Sequence, residues 1–441
     1  MMTQQEAKKI LLKAGIIFDE NLNISQFGGL EPFIKFLEKG NFRERLQTQF
    51  GPYQARSILQ IMLGLVVGAK SMNDIGKISK DPLVIKYLKN PIEEAQLGRD
   101  VRSFSRSTIE SFHDFNMSLA ILDFVQKLTH NEELLFDVDA TSVEKYGYQE
   151  GVEKGYVGQD QPENCYQYLL FRLHNRNSFL YGTIRGGSAH SQNDFCGYLE
   201  RFLPLMKDKW KNTWRADSGY FNENAFDLFI ENGADFFIKA PMSASRLNLV
   251  QTSPDIVWSK EIDGISYASR PTKTSKGHQY LEVFKRTRKD NKGQLSLGEI
   301  ASYRYDCLAT SKLTIDEKEA FKFYNGRANI ENNIRELKND YSLGKIVTDD
   351  FNANDVITQI TMLTYILMRH FQNEFLPQAM QKHVLSTLRN HVFNIPALFR
   401  SGQRKIFLKL KNVFCSETVY AKIISALQKN RSWILDPPTM A

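Results

Sequence analysis

Three carboxylates far apart in the chain sit where short elements are expected to end or to present one face. They are Asp139 (or its neighbour Asp137) in FDVDAT, Asp217 in RADSGYF and Glu331 in YNGRANIENNIRELK. In a strand, residues two apart share a face, so Asp137 and Asp139 point one way while Phe136 and Val138 pack the other. Asp217 closes a strand-like run ahead of a turn, with Arg215 on its own face. Burying such acids close together is costly unless a cation lies between them. Two strand-end acids and a helix glutamate from one layer make a set of hard oxygen ligands suited to Mg²⁺ or Mn²⁺. Two such ions activate an attacking oxygen and stabilise the leaving one, which is phosphodiester chemistry. Taken singly, each aspartate reads more simply as a strand-end or capping residue; only the set points to a metal.

The element that must present Glu331 is the best signed in the chain. If Tyr324 to Lys338 is one helix, Tyr324, Arg327, Glu331 and Lys338 share an arc of about 60°. Glu336 points elsewhere. An apolar stripe of Phe323, Ile330, Ile334, Leu337 and Tyr341 would hold the helix to a core. Thr314 to Glu317 reads as a capping box and Gly344 as a terminator. Asn325-Gly326 is the weak joint, because a mid-helix glycine costs about 1 kcal/mol against alanine. A break there removes Tyr324 from the shared face and leaves the other three aligned. An ordinary solvated face with i, i+4 pairing has the same spacing.

With 441 residues, 42% of them hydrophobic and 12% aromatic, the chain is globular and long enough for two or more domains. Four isolated cysteines, with no paired spacing, argue against a disulfide scaffold or structural zinc and for a reducing compartment. The N-terminus lacks a long apolar core, and the apolar run Ile61 to Ala69 falls short of the roughly 20 residues that cross a bilayer, so no membrane partner is expected. The net charge of +7 is concentrated late: from Arg369 onward 11 Lys and Arg face three acids. A basic end suits a polyanion such as DNA. GLVVGAK, at Gly64 to Lys70, has its glycines too close together for a phosphate loop, so helix packing through small residues is the better reading and no nucleotide cofactor is expected.

Residues 1–128 read as a helical N-terminal region for DNA binding or dimerisation. Apolar periodicity runs at Ala7 to Leu12, Leu30 to Leu37, Ala55 to Val67 and Ile109 to Leu128, and a weak helix-turn-helix signal spans Ser71 to Leu88. In residues 129–241 the order strand, strand, strand, helix, strand, helix, strand predicts a mixed α/β sheet. Residues 242–312 are polar and strand-leaning, with candidates at Ile256 to Trp258, Ile265 to Ala268 and Leu281 to Lys285, and are expected as a separate β insertion. Residues 313–375 return to the core with the Glu-bearing helix, and 376–441 form a basic helical end. There FRSGQRKIFLKLKN, Phe399 to Asn412, reads either as a DNA-facing element or as a plain amphipathic one.

These residues together resemble the DDE transposases of bacterial insertion sequences, cut-and-paste enzymes with a ribonuclease-H-like core. The signature Tyr, two residues, Arg, three residues, Glu, six residues, Lys is matched by Tyr324, Arg327, Glu331 and Lys338. FDVDAT and RADSGYF are similar to the segments carrying the first two acids, and YGYQEG, IRGGSAH, SILQIMLGLVVGAKSMNDIGKISKDP and TLRNHVFNIPALF are similar to flanking and terminal segments of one subgroup. The longer gap also agrees, 114 residues from Asp217 to Glu331 against 78 from Asp139 to Asp217. The resemblance implies a triad of Asp139, Asp217 and Glu331 holding two Mg²⁺ or Mn²⁺ ions. Asp139 is preferred to Asp137 because a small residue and a hydroxyl, Ala140 and Thr141, follow it. It implies that Tyr324, Arg327 and Lys338 bind the DNA backbone. Trp258 would stack an extruded base if a hairpin intermediate forms, although a core tryptophan is the plainer reading. Terminal inverted repeats and target DNA are the implied partners, a homodimer the implied assembly, and the bacterial cytoplasm, on the nucleoid when DNA-bound, the implied location. A ribonuclease-H-like nuclease that cuts without joining, or a non-catalytic DNA-binding derivative, are the other readings.

Overall fold

The computed structural model describes residues 23–125, 132–158, 162–190, 194–289, 303–401, 406–410 and 417–429. They form two compact units, one from the residues up to Asp100 and from Glu374 onward, the other from Val101 to Asn373. The first unit is helical, with helices at Glu31–Lys39, Phe42–Phe50, Pro52–Val67, Met72–Ile78, Pro82–Leu88 and Glu417–Lys429. Gly64 packs against Ile75, whose Cγ1 would lie 2.8 Å from an added Cβ, and Gly68 ends its helix at φ 107°. GLVVGAK is thus a close-packing segment. Ser71 and Asp81 cap the two seven-residue helices of the Ser71 to Leu88 region. Ala397–Ser401 and Ile406–Leu410 pair antiparallel, with Ile24–Ser25 on the outer edge of the first. The stretch from Phe399 thus enters a strand hairpin; its residues 402–405 and 411–412, like the expected helix at Ala7 to Leu12, lie outside the described residues. Among the described residues no single helix is long and apolar enough to cross a membrane.

The second unit opens with α1 (Arg106–Val125) and continues with β1 (Leu134–Glu144), β2 (Glu153–Tyr156), β3 (Pro162–Leu173), β4 (Ser178–Gly186), α2 (Phe195–Met206), β5 (Asn212–Ala216), α3 (Glu223–Glu231) and β6 (Asp235–Ala240). Then come α4 (Ala244–Thr252), β7 (Ile265–Lys273), β8 (Gln279–Arg288), β9 (Tyr303–Thr310), α5 (Glu317–Asn325), α6 (Asn329–Asp340) and α7 (Phe351–Phe375). The strands run in the order β2–β3–β1–β5–β6–β9–β8–β7, with β4 also on β3. β1 is antiparallel to β3 and parallel to β5, and β6 is parallel to β5. This is the mixed α/β core that a ribonuclease-H-like reading expects. The insertion strands are not set apart: β9 pairs antiparallel with β6, so β7 to β9 extend the core sheet edge to edge. Ile256 to Trp258 is not a strand, and α4, which the sequence reading did not foresee, starts at its Ser243 cap.

Alternation along the strands divides the sheet into two faces. Phe136, Val138, Trp214, Ala216, Phe236 and Ile238 pack under the stripe Phe195, Leu199, Phe202, Leu203 and Met206 of α2 and under α3. Phe136 stacks on Trp214 with centroids 4.4 Å apart. Such aromatic burial is a large part of what holds the layer together. The opposite face carries the acids, and it meets α5 through Phe237, Leu281, Val283 and Leu308, which pack on Ala320 and Phe321. The expected single helix is two. α5 begins at Asp316, whose side chain accepts from Glu319 N–H at 3.0 Å, so the cap is Asp316 and not Thr314. A 3₁₀ turn at Gly326–Ala328 then separates it from α6. Ile330, Ile334, Leu337 and Tyr341 are buried as the stripe predicts, whereas Phe323, before the break, is exposed. Buried Glu336 pairs with Arg369 and binds the Tyr365 hydroxyl at 3.3 Å, anchoring α6 to α7.

Candidate active site

In the parallel pairing of β1 and β5, Val138 lies opposite Ala216, so Asp139 and Asp217 follow side by side where β5 stops. Asp217 caps the Ser218–Tyr220 turn, its Oδ1 accepting from Gly219 N–H at 2.9 Å. Asp139 Oδ1 accepts from Ala140 N–H at 2.9 Å, and Oδ2 stands 3.1 Å from Arg327 Nη1. Burial pushes the Asp139 carboxyl up to about 6; the Asp217 charge adds to this and Arg327 opposes it. For Arg327, burial works against the charge, but Asp139, Tyr324 and Asp217 outweigh it and hold the guanidinium above its ordinary value. Two carboxylates on neighbouring parallel strands, one midway along β1 and raised by its surroundings, the other just past the end of β5, form a negative pair that a divalent cation fits.

Asp137 has a different surrounding. Its register neighbours across the sheet are Arg172 on β3 and Arg215 on β5. Arg172 Nη1 donates to Oδ2 at 2.8 Å, Arg215 Nε donates to Oδ1 at 2.7 Å, and His174 Nδ1 lies 3.0 Å from Oδ2. Burial pushes this carboxyl up, but the hydrogen bonds of His174 and Arg215 and the two guanidinium charges prevail and leave it below the usual range. Both of its oxygens are committed to the sheet. Arg215, placed by sequence on the face of Asp217, in fact serves Asp137. Its Nη1 also donates to Phe323 O at 2.6 Å, beneath the helix joint. An added Cβ on Gly326 would lie 2.6 Å from that Nη1, so the joint is a glycine because Arg215 passes under it.

Around the acid pair the structure gathers Tyr324, Arg327 and Lys338. Tyr324 is largely buried and hydrogen-bonds Arg327; burial raises its phenol, with Asp217 and Asp139 adding to the effect. Lys338 Nζ donates to Ser142 O at 2.8 Å; burial lowers its ammonium and the Asp139 charge pulls the other way. Glu331 lies on α6 between these cations in sequence, and its side chain is exposed. Among the described residues no three carboxylates, imidazoles or thiols converge as a ready metal cage. Trp258 is half-buried beside Tyr305, at 6.0 Å between centroids, and the Arg286 guanidinium covers its ring at 4.5 Å. Arg286 lies equally over Tyr303, at 4.7 Å. Sequence reasoning passed over Arg172, His174 and Tyr220; the alternating RADSGYF and LLFRLHN segments carried the signal, but only the register shows what they meet.

Two acids side by side on neighbouring parallel strands, with Arg327 of the 3₁₀ turn and Lys338 of α6 brought to them, are what the DDE reading of the sequence expects of a shared site. Residues 41–432 match the family described as transposase DDE domain group 1, and the chain belongs to it. Among solved structures it is similar to a piggyBac transposase synaptic complex with hairpin DNA, at 10% identity and a TM-score of 0.44, over 88% of this chain and 77% of that one. No curated protein matches the chain in sequence.

Proposed function

We propose that the protein is a transposase that cuts the terminal inverted repeats of its own element and joins the resulting 3′-hydroxyl ends to target DNA. The observation that supports it most is that Asp139, midway along β1, and Asp217, just past the end of the parallel strand β5, lie side by side, with Arg327 against Asp139. Asp139 and Asp217 are the donors we assign to Mg²⁺ or Mn²⁺, with Glu331, one turn beyond Arg327, as the third. The ions, two per site, supply activation of the attacking oxygen and charge stabilisation of the leaving one. Arg327 neutralises Asp139 in the metal-free protein and is free to pair with a DNA phosphate once that charge is otherwise balanced. Tyr324 and Lys338 flank it and hold the same backbone, positioning the scissile bond over the acids. Asp137, closed off by two arginines and a histidine, keeps β1 and β5 in register beneath. Two ends must be cut in concert, so we assign a homodimer to the DNA complex, in a bacterial cytoplasm.

The test is to incubate the full chain with labelled element ends, a target plasmid and Mg²⁺ or Mn²⁺. Joined products that vanish in Asp139→Asn support the reading. Cleaved ends without joining would make the protein a nuclease, and end binding with no cleavage would make it a non-catalytic derivative.

A further inference from the structure

The hydroxyl of Tyr220 is left without a role by everything above. Tyr220 ends the turn that Asp217 caps, and its N–H donates to Asp217 O at 3.2 Å. The ring is fully buried and meets Phe195 edge to face, with centroids 5.0 Å apart. The hydroxyl oxygen is buried as well, and no hydrogen-bond partner is found for it among the described residues. A phenylalanine would fill the same space without burying an unpaired hydroxyl, which is costly. Packing therefore does not account for the tyrosine.

Its place in the turn that Asp217 caps suggests what does. Burial is the main influence on it and keeps it protonated; the charges acting on it are those of Asp139, Asp217, Arg185 and Arg327. A buried O–H with no partner among the described residues is thus sealed in at the turn that Asp217 caps, within electrostatic reach of Asp139 and Asp217. Groups behind the ligands of a metal site commonly orient those ligands by donating to them.

We propose that Tyr220 is a positioning residue for the Asp139–Asp217 pair, its hydroxyl donating to a carboxylate oxygen, or to a water held against one, in the ion-bound protein. It fixes the orientation in which the carboxylates present their remaining oxygens. This rests on the metal-site reading of the pair given above.

The test is Mn²⁺ titration of the full chain by calorimetry at pH 7, for wild type, Tyr220→Phe and Asp139→Asn, with thermal melting in chelator as the control. Tyr220→Phe is expected to melt at or above the wild-type temperature without metal, and to bind Mn²⁺ about tenfold more weakly. Wild-type affinity in Tyr220→Phe, while Asp139→Asn binds weakly, would overturn the Tyr220 role alone. So would a large fall in its metal-free melting temperature, because the hydroxyl would then already have a structural partner. If wild type does not bind Mn²⁺, or Asp139→Asn binds it equally well, the metal-site reading itself fails and takes this role with it.

Discussion

Asp137 and Asp139 are two residues apart on one strand and one face, yet their charges affect the fold in opposite directions. Asp139 has its carboxyl raised from 3.8 to about 6, mainly by burial. A displacement of that size corresponds to about 3 kcal/mol of disfavoured ionisation in the folded, metal-free state. Because the folded carboxyl is the weaker acid, the cost is present above about pH 6 and is relieved as the pH falls from there towards 4. In chelator, Asp139→Asn should therefore be more stable than wild type at pH 7, by about 1–3 kcal/mol, with the gap closing at pH 4 to 5; denaturant unfolding at the two pH values checks this. Asp137→Asn should instead destabilise the protein at pH 7 by about 3–5 kcal/mol, since it leaves Arg172 and Arg215 buried without their counter-charge. If the two variants shift stability in the same direction, the division of roles between the acids is wrong.

At the scale of elements, the joint between α5 and α6 is where local preference and tertiary contact disagree. Alanine is a better helix former than glycine by about 1 kcal/mol, so Gly326→Ala would stabilise a free-standing helix. Here the added Cβ would meet the end of Arg215, a side chain only 2% exposed and held by Asp137 and Phe323 O. An arginine so held cannot swing aside cheaply. Gly326→Ala is therefore expected to lower stability by about 1–2 kcal/mol, and a melting temperature above wild type would show that the joint is not a close approach. The same element shows what was legible beforehand. The stripe Ile330, Ile334, Leu337 and Tyr341 is readable because a helix repeats its burial every three to four residues. The break at Gly326 was readable only as a weak point, because its cause lies on β5. β9 was not foreseen: YRYDCLAT has no clear apolar face in its first half, with the tyrosines on one side and Arg304 and Asp306 on the other, and it becomes a strand because β6 and β8 each offer it an edge.

For the whole molecule, charge is the property that couples the fold to a polyanion. The excess of +8 from Arg369 onward stands against about −1 over residues 1–368, so ahead of Arg369 phosphate is attracted where cations are locally gathered, as at Arg327 and Lys338. Lys338→Ala should weaken end binding and reduce the slope of log affinity against log salt by about one; an unchanged slope removes Lys338 from the backbone contacts. What the chain's own order of residues determined was the kind of element at most positions, the spacing of Arg327, Glu331 and Lys338, and the presence of acids on strand-forming segments, because periodicity and side-chain type are local properties. What only the tertiary structure decided was which acid does which work. Parallel register sets Asp139 beside Asp217 and sets Asp137 between two arginines, and the edge pairing of β9 with β6 joins the insertion strands to the core. Those outcomes depend on hydrogen-bonded neighbours that lie tens of residues away in the chain, and no local pattern encodes them.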